Sequence, residues 1–145
     1  MNKTSTCFHL AFPCHDLTAG KQFYIEGLGC VLGRSSEHAL ILNLNGNQIV
    51  VHGVEQCPEM PKAIYPRHFG LIFDTLDEYN ALLTRAKDKK LNFYRPESIR
   101  FPEKIMEHHS FFLVDPSNNL LEFKHYTNAE AIFGANENSQ VGEKL

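Results

Sequence analysis

The 145-residue sequence has no tryptophan, no Cys-x-x-Cys pair, no long apolar run and no strong excess of either charge. Each absence excludes something. Without an apolar run approaching the ~18 residues of a membrane span, no membrane-crossing helix is expected. Fourteen Lys and Arg against seventeen Asp and Glu give a net charge of −3. That balance argues against a nucleic-acid binder working through bulk positive charge. Cys7, Cys14, Cys30 and Cys57 match no zinc-ribbon spacing. The opening Met-Asn-Lys-Thr-Ser-Thr leads into no apolar segment of signal-peptide type. A cytoplasmic protein with reduced thiols is therefore expected, with the four cysteines serving as small hydrophobes.

What is present is ordinary for a globular chain, with one exception. Hydrophobic residues are 43% and charged residues 21%, close to the soluble average. Eleven Phe and five Tyr supply the apolar area for one core, so a single domain over 1–145 is expected. The exception is histidine: eight occur, against four cysteines. Their placement decides what they do.

The order of local signals repeats. Residues 7–12 read as a strand, Asp16 as an N-cap and 17–28 as a helix stopped by Gly27 and Gly29. Strands follow over 30–33, 39–44 and 48–52, the last two joined by the hairpin pair Asn45-Gly46. This first module covers 5–55. Pro58, Pro61 and Pro66 mark a connecting loop. The second module, 67–127, starts with a strand over 68–73. Thr75-Leu76-Asp77-Glu78 has the capping-box form, with Glu78 expected to reach back. Leu76, Tyr79, Leu82, Leu83 and Ala86 then fall on one helical face, and Lys87, Lys89 and Lys90 suit its C-terminal end. Strands over 91–95, 110–114 and 120–126 complete it. A long polar loop is expected over 96–107, and a tail over 128–145 ordered to about Phe133. The fold class is α+β, built as two βαβββ modules.

Strand parity assigns faces. His9 lies opposite Phe8, Leu10 and Phe12; His52 lies opposite Ile49 and Val51. His68 lies opposite Phe69, Leu71 and Phe73; Glu122 lies opposite Leu121 and Phe123. Each strand thus has one apolar face and places one good metal ligand on the other. A single strand histidine is most simply a solvated residue, but three at one parity beside a glutamate suggest a divalent-metal site. Two His and one carboxylate suit non-haem Fe; the same set suits Zn, Ni, Mn or Co.

Longer motifs carry a family resemblance over residues 5 to about 127. They are Phe8-His9-Leu10-Ala11-Phe12, then Asp16-Leu17 followed by Phe23-Tyr24 and Leu28-Gly29, then Arg67-His68-Phe69-Gly70. The last is Asp115-Pro116-Ser117-Asn118-Asn119-Leu120-Leu121-Glu122, with Asn118 where glycine is usual; asparagine also tolerates a left-handed backbone. The chain resembles the vicinal oxygen chelate superfamily of glyoxalase I, bleomycin-resistance proteins and extradiol dioxygenases. The resemblance implies an incomplete barrel around a divalent metal held by His9, His68 and Glu122, with His52 near a fourth ligand position. A histidine there departs from glyoxalase I, where a carboxylate is usual. Retention of three ligands argues against a metal-free antibiotic binder.

The chemistry implied is bidentate chelation of adjacent oxygens on a small-molecule substrate, with the metal as Lewis acid. Acid–base candidates are Glu122, His52 and the pair His108-His109, of which parity turns His108 inward with Ser110. The simplest reading of the pair is exposed polar residues. His15, His38 and His125 read as surface, and Arg67 and Arg100 as solvated cations that an anionic substrate could meet. The expected function is a metal-dependent enzyme, extradiol-dioxygenase-like rather than glyoxalase I. The alternatives are a non-catalytic antibiotic-type binding or resistance protein, and a scaffold with a structural metal. Open sheet edges suggest a homodimer.

Overall fold

A computed structural model describes residues 5–143. The first module consists of β1 (His9–Cys14), α1 (Leu17–Lys21), a π-helical segment (Gln22–Gly27), β2 (Val31–Ser35), β3 (Ala39–Leu44) and β4 (Asn47–Gly53). The second consists of β5 (Phe69–Ile72), α2 (Leu76–Asp88), β6 (Phe93–Arg100), β7 (His108–Val114) and β8 (Leu120–Tyr126). The sheet orders are β1-β4-β3-β2 and β5-β8-β7-β6. In each, the first strand runs parallel to the last and the other pairs are antiparallel. This is the expected α+β fold of two βαβββ modules with open sheets. Among the described residues, no helix is long and apolar enough to cross a membrane.

The caps act where the sequence places them, with one change of partner. Asp16 Oδ1 accepts from the Ala19 N–H at 3.0 Å. Thr75 Oγ1 accepts from the Glu78 N–H at 3.2 Å. The Thr75 hydroxyl donates to Glu78 Oε2 at 3.1 Å, so the box closes through side chains. The first helix does not stay α-helical to Leu28. It widens at Gln22–Gly27, and adjacent Phe23 and Tyr24 are both buried.

The expected polar loop over 96–107 begins as strand, and only 101–107 is turn and irregular chain. β6 continues past Pro96 to Arg100 because the ladder with β7 shifts register between Arg95 and Ser98. A proline without an N–H is tolerated at such an irregularity. Arg100 thereby becomes a strand residue opposite His108. Past β8, a 3₁₀ turn spans Ala129–Ile132. Order does not end at Phe133: the chain as far as Glu143 runs over the second sheet.

The apolar faces that parity assigns form one core. Leu40, Leu42, Ile49 and Val51 of the first sheet join Phe111, Leu113, Leu121 and Phe123 of the second, around Tyr24 and Tyr79. Phe12 and Phe69, on the two first strands, stack at 4.9 Å between centroids. Cys14 and Cys30 are buried and Cys7 and Cys57 exposed, all unpaired, so the hydrophobe reading holds for two of the four.

The turn before β8 joins the modules. Tyr24 donates its hydroxyl to Asp115 Oδ2 at 2.6 Å. Asp115 Oδ1 accepts the N–H groups of Ser117 and Asn119, each at 2.8 Å. Asn119 Nδ2 reaches back to the Pro13 carbonyl at 2.9 Å. Asn118 holds φ 64°, the left-handed conformation expected of it. Beside β8, β5 comes so close that a Cβ on Gly70 would lie 1.6 Å from the Glu122 carbonyl oxygen. Gly70→Ala must therefore push β5 off β8. We expect a loss of about 3 kcal/mol or more, read as a lowered midpoint in denaturant; an unchanged midpoint would contradict the close approach.

Candidate active site

The second sheet's open face gathers the polar chemistry. Glu122 lies beside Gly70 and Phe112 in register, Lys124 beside Ser110, and Tyr126 beside His108. His68 directly precedes β5. Its Nε2 lies 2.9 Å from Glu122 Oε2, and its Nδ1–H donates to the Ile64 carbonyl at 2.6 Å. Ser110 donates its hydroxyl to Glu122 Oε1 at 2.8 Å. The His68 ring stands edge-on to Phe112 at 5.3 Å. Lys124 Nζ and Arg100 Nη1 each stand 3.8 Å from a Glu122 oxygen.

These contacts set the charges. Burial pushes the Glu122 carboxyl up, but the hydrogen bond from His68, the Lys124 charge and the Ser110 hydroxyl outweigh it and hold it below its usual value. The hydrogen bond to Glu122 raises His68; burial opposes this and the Ile64 carbonyl assists it. Without a metal, both shifts favour the ion pair, with Nε2 as donor to Glu122 Oε2.

The same geometry fits a metal. A ligating histidine is typically held through its other ring nitrogen by a carbonyl, and a ligating carboxylate by a further hydrogen bond. Ile64 and Ser110 supply these supports, leaving Nε2 and Oε2 side by side. His9 and His52 stand elsewhere. Both are exposed on the open face of the first sheet, where His9 Nδ1 pairs with Gln48 Oε1 at 2.7 Å. Among the described residues, no three His, Cys, Asp or Glu are close enough to hold a metal together. One chain thus unites His68 with Glu122 but not with His9 or His52. The two sheets share one core through their apolar faces, so their open faces do not close on each other.

A cavity of about 970 Å³ lies over the second sheet, covered by 131–143. Its wall includes His68, Arg100, His108, Glu122, Lys124 and Tyr126. His108 is 5% exposed, turned inward with Ser110 as parity places it and not exposed as the simplest reading of the pair has it. Its Nδ1–H donates to the Met106 carbonyl at 2.9 Å, and its Nε2 has no hydrogen-bond partner. Burial lowers its pKa, more than the Met106 carbonyl raises it, so the ring is neutral and Nε2 carries a lone pair. His109 is half-buried on the other face, 3.0 Å from Glu97 Oε1. His125 is half-buried too, paired with the Phe73 carbonyl at 3.0 Å, rather than at the surface. His15 is exposed and pairs with Ser117 Oγ; His38 is exposed. Arg67 is exposed as expected, but the Arg100 side chain is only 11% exposed. Sequence reasoning read Arg100 as a solvated cation that an anionic substrate could meet, and passed over Lys124 and Tyr126 as site residues. The signal was parity: Lys124 and Tyr126 continue the Glu122 face.

The model of the Glyoxalase/Bleomycin resistance protein/Dioxygenase superfamily matches residues 6–123. The chain belongs to this superfamily. A glyoxalase/bleomycin resistance protein/dioxygenase from Alicyclobacillus acidocaldarius is 39% identical, with TM-score 0.85 over 92% of this chain and 100% of that one. Two more distant structures share the fold. Lactoylglutathione lyase from Agrobacterium tumefaciens is 18% identical, with TM-score 0.63 over 84% of this chain and 94% of that one. The fosfomycin resistance protein FosX from Listeria monocytogenes is 18% identical, with TM-score 0.66 over 89% and 99%. No functionally curated protein matches the sequence.

The His68–Glu122 pair makes metal-free stability depend on pH in a defined direction. Glu122, lowered in the fold, contributes above its usual 4.5, and the contribution is lost as pH falls through the lowered value. His68, raised, contributes fully below its usual 6.5, and the contribution is lost as pH rises through the raised value. Relative to His68→Gln, the chelator-treated wild type should gain most between pH 4.5 and 6.5. Denaturant titrations from acid to alkaline pH measure this; parallel curves would show that the pair does not form.

Proposed function

We propose that the protein is a metal-dependent enzyme acting on a small molecule with adjacent oxygen functions, extradiol-dioxygenase-like rather than glyoxalase I. The observation that carries this reading is the 2.9 Å pairing of His68 Nε2 with Glu122 Oε2, each supported from behind by Ile64 or Ser110. The third ligand is His9 of a second copy of this chain. Its ring is steadied at Nδ1 by Gln48 and stands on an open sheet face. On the same side of that sheet, Val31 faces Asn43 in register and is 67% exposed, apolar surface of the kind that another copy covers. Two His and one carboxylate with open positions suit Fe(II), which favours the oxygenase reading; His52 ranks as an accessory fourth ligand.

When bound, a divalent ion (Fe, Zn, Ni, Mn or Co) supplies Lewis acidity to the substrate's paired oxygens. The protein supplies the rest. His68 and Glu122 fix its position, and Ser110 keeps Glu122 from turning away. Acid–base work therefore falls to His108, whose neutral Nε2 is free to accept a substrate hydroxyl proton. Phe112, Tyr126 and the chain over 131–143 limit water at the site. A second reading, a small-molecule binding or resistance protein without turnover, draws on the two-ligand set within one chain.

His68→Ala, Glu122→Ala and His9→Ala should each abolish stoichiometric metal in elemental analysis, and His52→Ala should weaken it less. A shared site has a sharper signature. When His9→Ala and Glu122→Ala are unfolded together and refolded, mixed dimers regain one intact site each, so metal returns to about a quarter of all sites. No return would overturn the shared site. A wild type that neither carries nor accepts a first-row metal would favour the binder.

A further inference from the structure

We propose that the ligand of this cavity is a small hydroxylated carboxylate, that Arg100 receives its carboxylate, and that the chain's own Glu143 now stands in that place. The proposal deepens the functional reading by naming the substrate class of the same site.

Four contacts mark the subsite. Arg100 Nη2 lies 2.8 Å from Glu143 Oε1. The Tyr65 hydroxyl accepts the Glu143 N–H at 3.0 Å and lies 3.5 Å from Arg100 Nη2. Arg95 Nη1 holds the other Glu143 oxygen at 3.3 Å. The Arg100 side chain is 11% exposed, whereas Glu143 is 47% exposed. The guanidinium is thus part of the cavity wall, while its partner sits on an outer, separable segment. A half-exposed carboxylate in an ion pair gains little, so a free carboxylate displaces it at little cost. The cavity's other carboxylate, Glu122, is already committed to His68 and Ser110. It faces Arg100 only at 3.8 Å.

An independent feature points to the hydroxyl. His108 pairs with Arg100 in the β6–β7 register and lines the same cavity, and its Nε2 is buried without a donor. A buried acceptor left unpaired is costly, and a ligand hydroxyl supplies the missing donor. Phe101 and Tyr126 flank the His108 ring at 5.9 and 4.8 Å, and Phe112 lies beside His68, so the walls also suit a planar apolar body.

The test uses 4-hydroxybenzoate, with uncharged 4-hydroxybenzamide and hydroxyl-free benzoate as controls, in calorimetric titrations of the chelator-treated full chain. None of the probes has adjacent oxygens on its ring. Failure here would leave the metal reading standing, and failure of metal loading would leave this result intact. Wild type should prefer 4-hydroxybenzoate over its amide. With the Glu143 carboxylate no longer competing for Arg100, Glu143→Gln should raise 4-hydroxybenzoate affinity about tenfold. Arg100→Gln should erase the preference; should that variant not fold, Arg100→Lys should retain it in part. His108→Leu should bind benzoate and 4-hydroxybenzoate equally. Equal binding of acid and amide by wild type, a preference that survives Arg100→Gln, or no change in Glu143→Gln would overturn the proposal.

Discussion

A buried carboxylate holds the two modules and the site in one frame. Asp115 is 3% exposed, and burying an ionised group is affordable only where donors surround it. Four do: the Tyr24 hydroxyl, the Ser117 and Asn119 backbone N–H groups, and Asn119 Nδ2. Tyr24 comes from the other module and stays protonated, because burial and then the adjacent Asp115 charge raise its pKa well above the usual value. The turn can therefore take one conformation, with Asn118 left-handed. β8 begins at Leu120 directly after it. The register of β8, and with it the position of Glu122 beside Gly70, follows from a hydrogen bond made outside the site.

That dependence explains why much of the molecule was legible in the sequence. The Asp115-to-Glu122 segment contains both the anchor and the ligand, at a spacing fixed by the turn. Period-two alternation placed His9 and His52 on one open face, and His68, Glu122 and Ser110 on another, as the registers and exposures bear out. Parity reports only which face a side chain takes. Which faces meet depends on how the modules pack. Here the apolar faces of both sheets join one core, so the open faces look elsewhere and four candidate ligands divide into two pairs. The sequence offered no local sign of this, because Phe12 and Phe69 would be apolar in either arrangement.

Other differences have local causes. Pro96 reads as a strand stop, yet a register shift in the β6–β7 ladder absorbs it. Three further residues, Ser98 to Arg100, then pair, and Arg100 moves from an expected solvated loop to the cavity wall. Of the His108-His109 pair, strand alternation buries His108 in the cavity, as parity indicates, and leaves His109 beside Tyr79 on the opposite face. The chain beyond Phe133 is polar and lacks periodicity, so nothing in it announces a segment that crosses the second sheet.

Two carboxylates meet the cavity's cations, and burial separates their roles. Glu122 is 6% exposed and takes hydrogen bonds from His68 and Ser110. Its removal would strand a histidine and a hydroxyl, so it is fixed in place. Glu143 is 47% exposed, and its partners are Arg100 of the cavity wall, Arg95 outside it and the Tyr65 hydroxyl. Water can replace each of those contacts. Arg100 touches both carboxylates, closely at Glu143 and loosely at Glu122. The short contact is therefore the exchangeable one, and the long contact belongs to the permanent wall. A guanidinium held between a fixed and an exchangeable carboxylate gives the cavity a place for one further negative group without disturbing the His68–Glu122 pair.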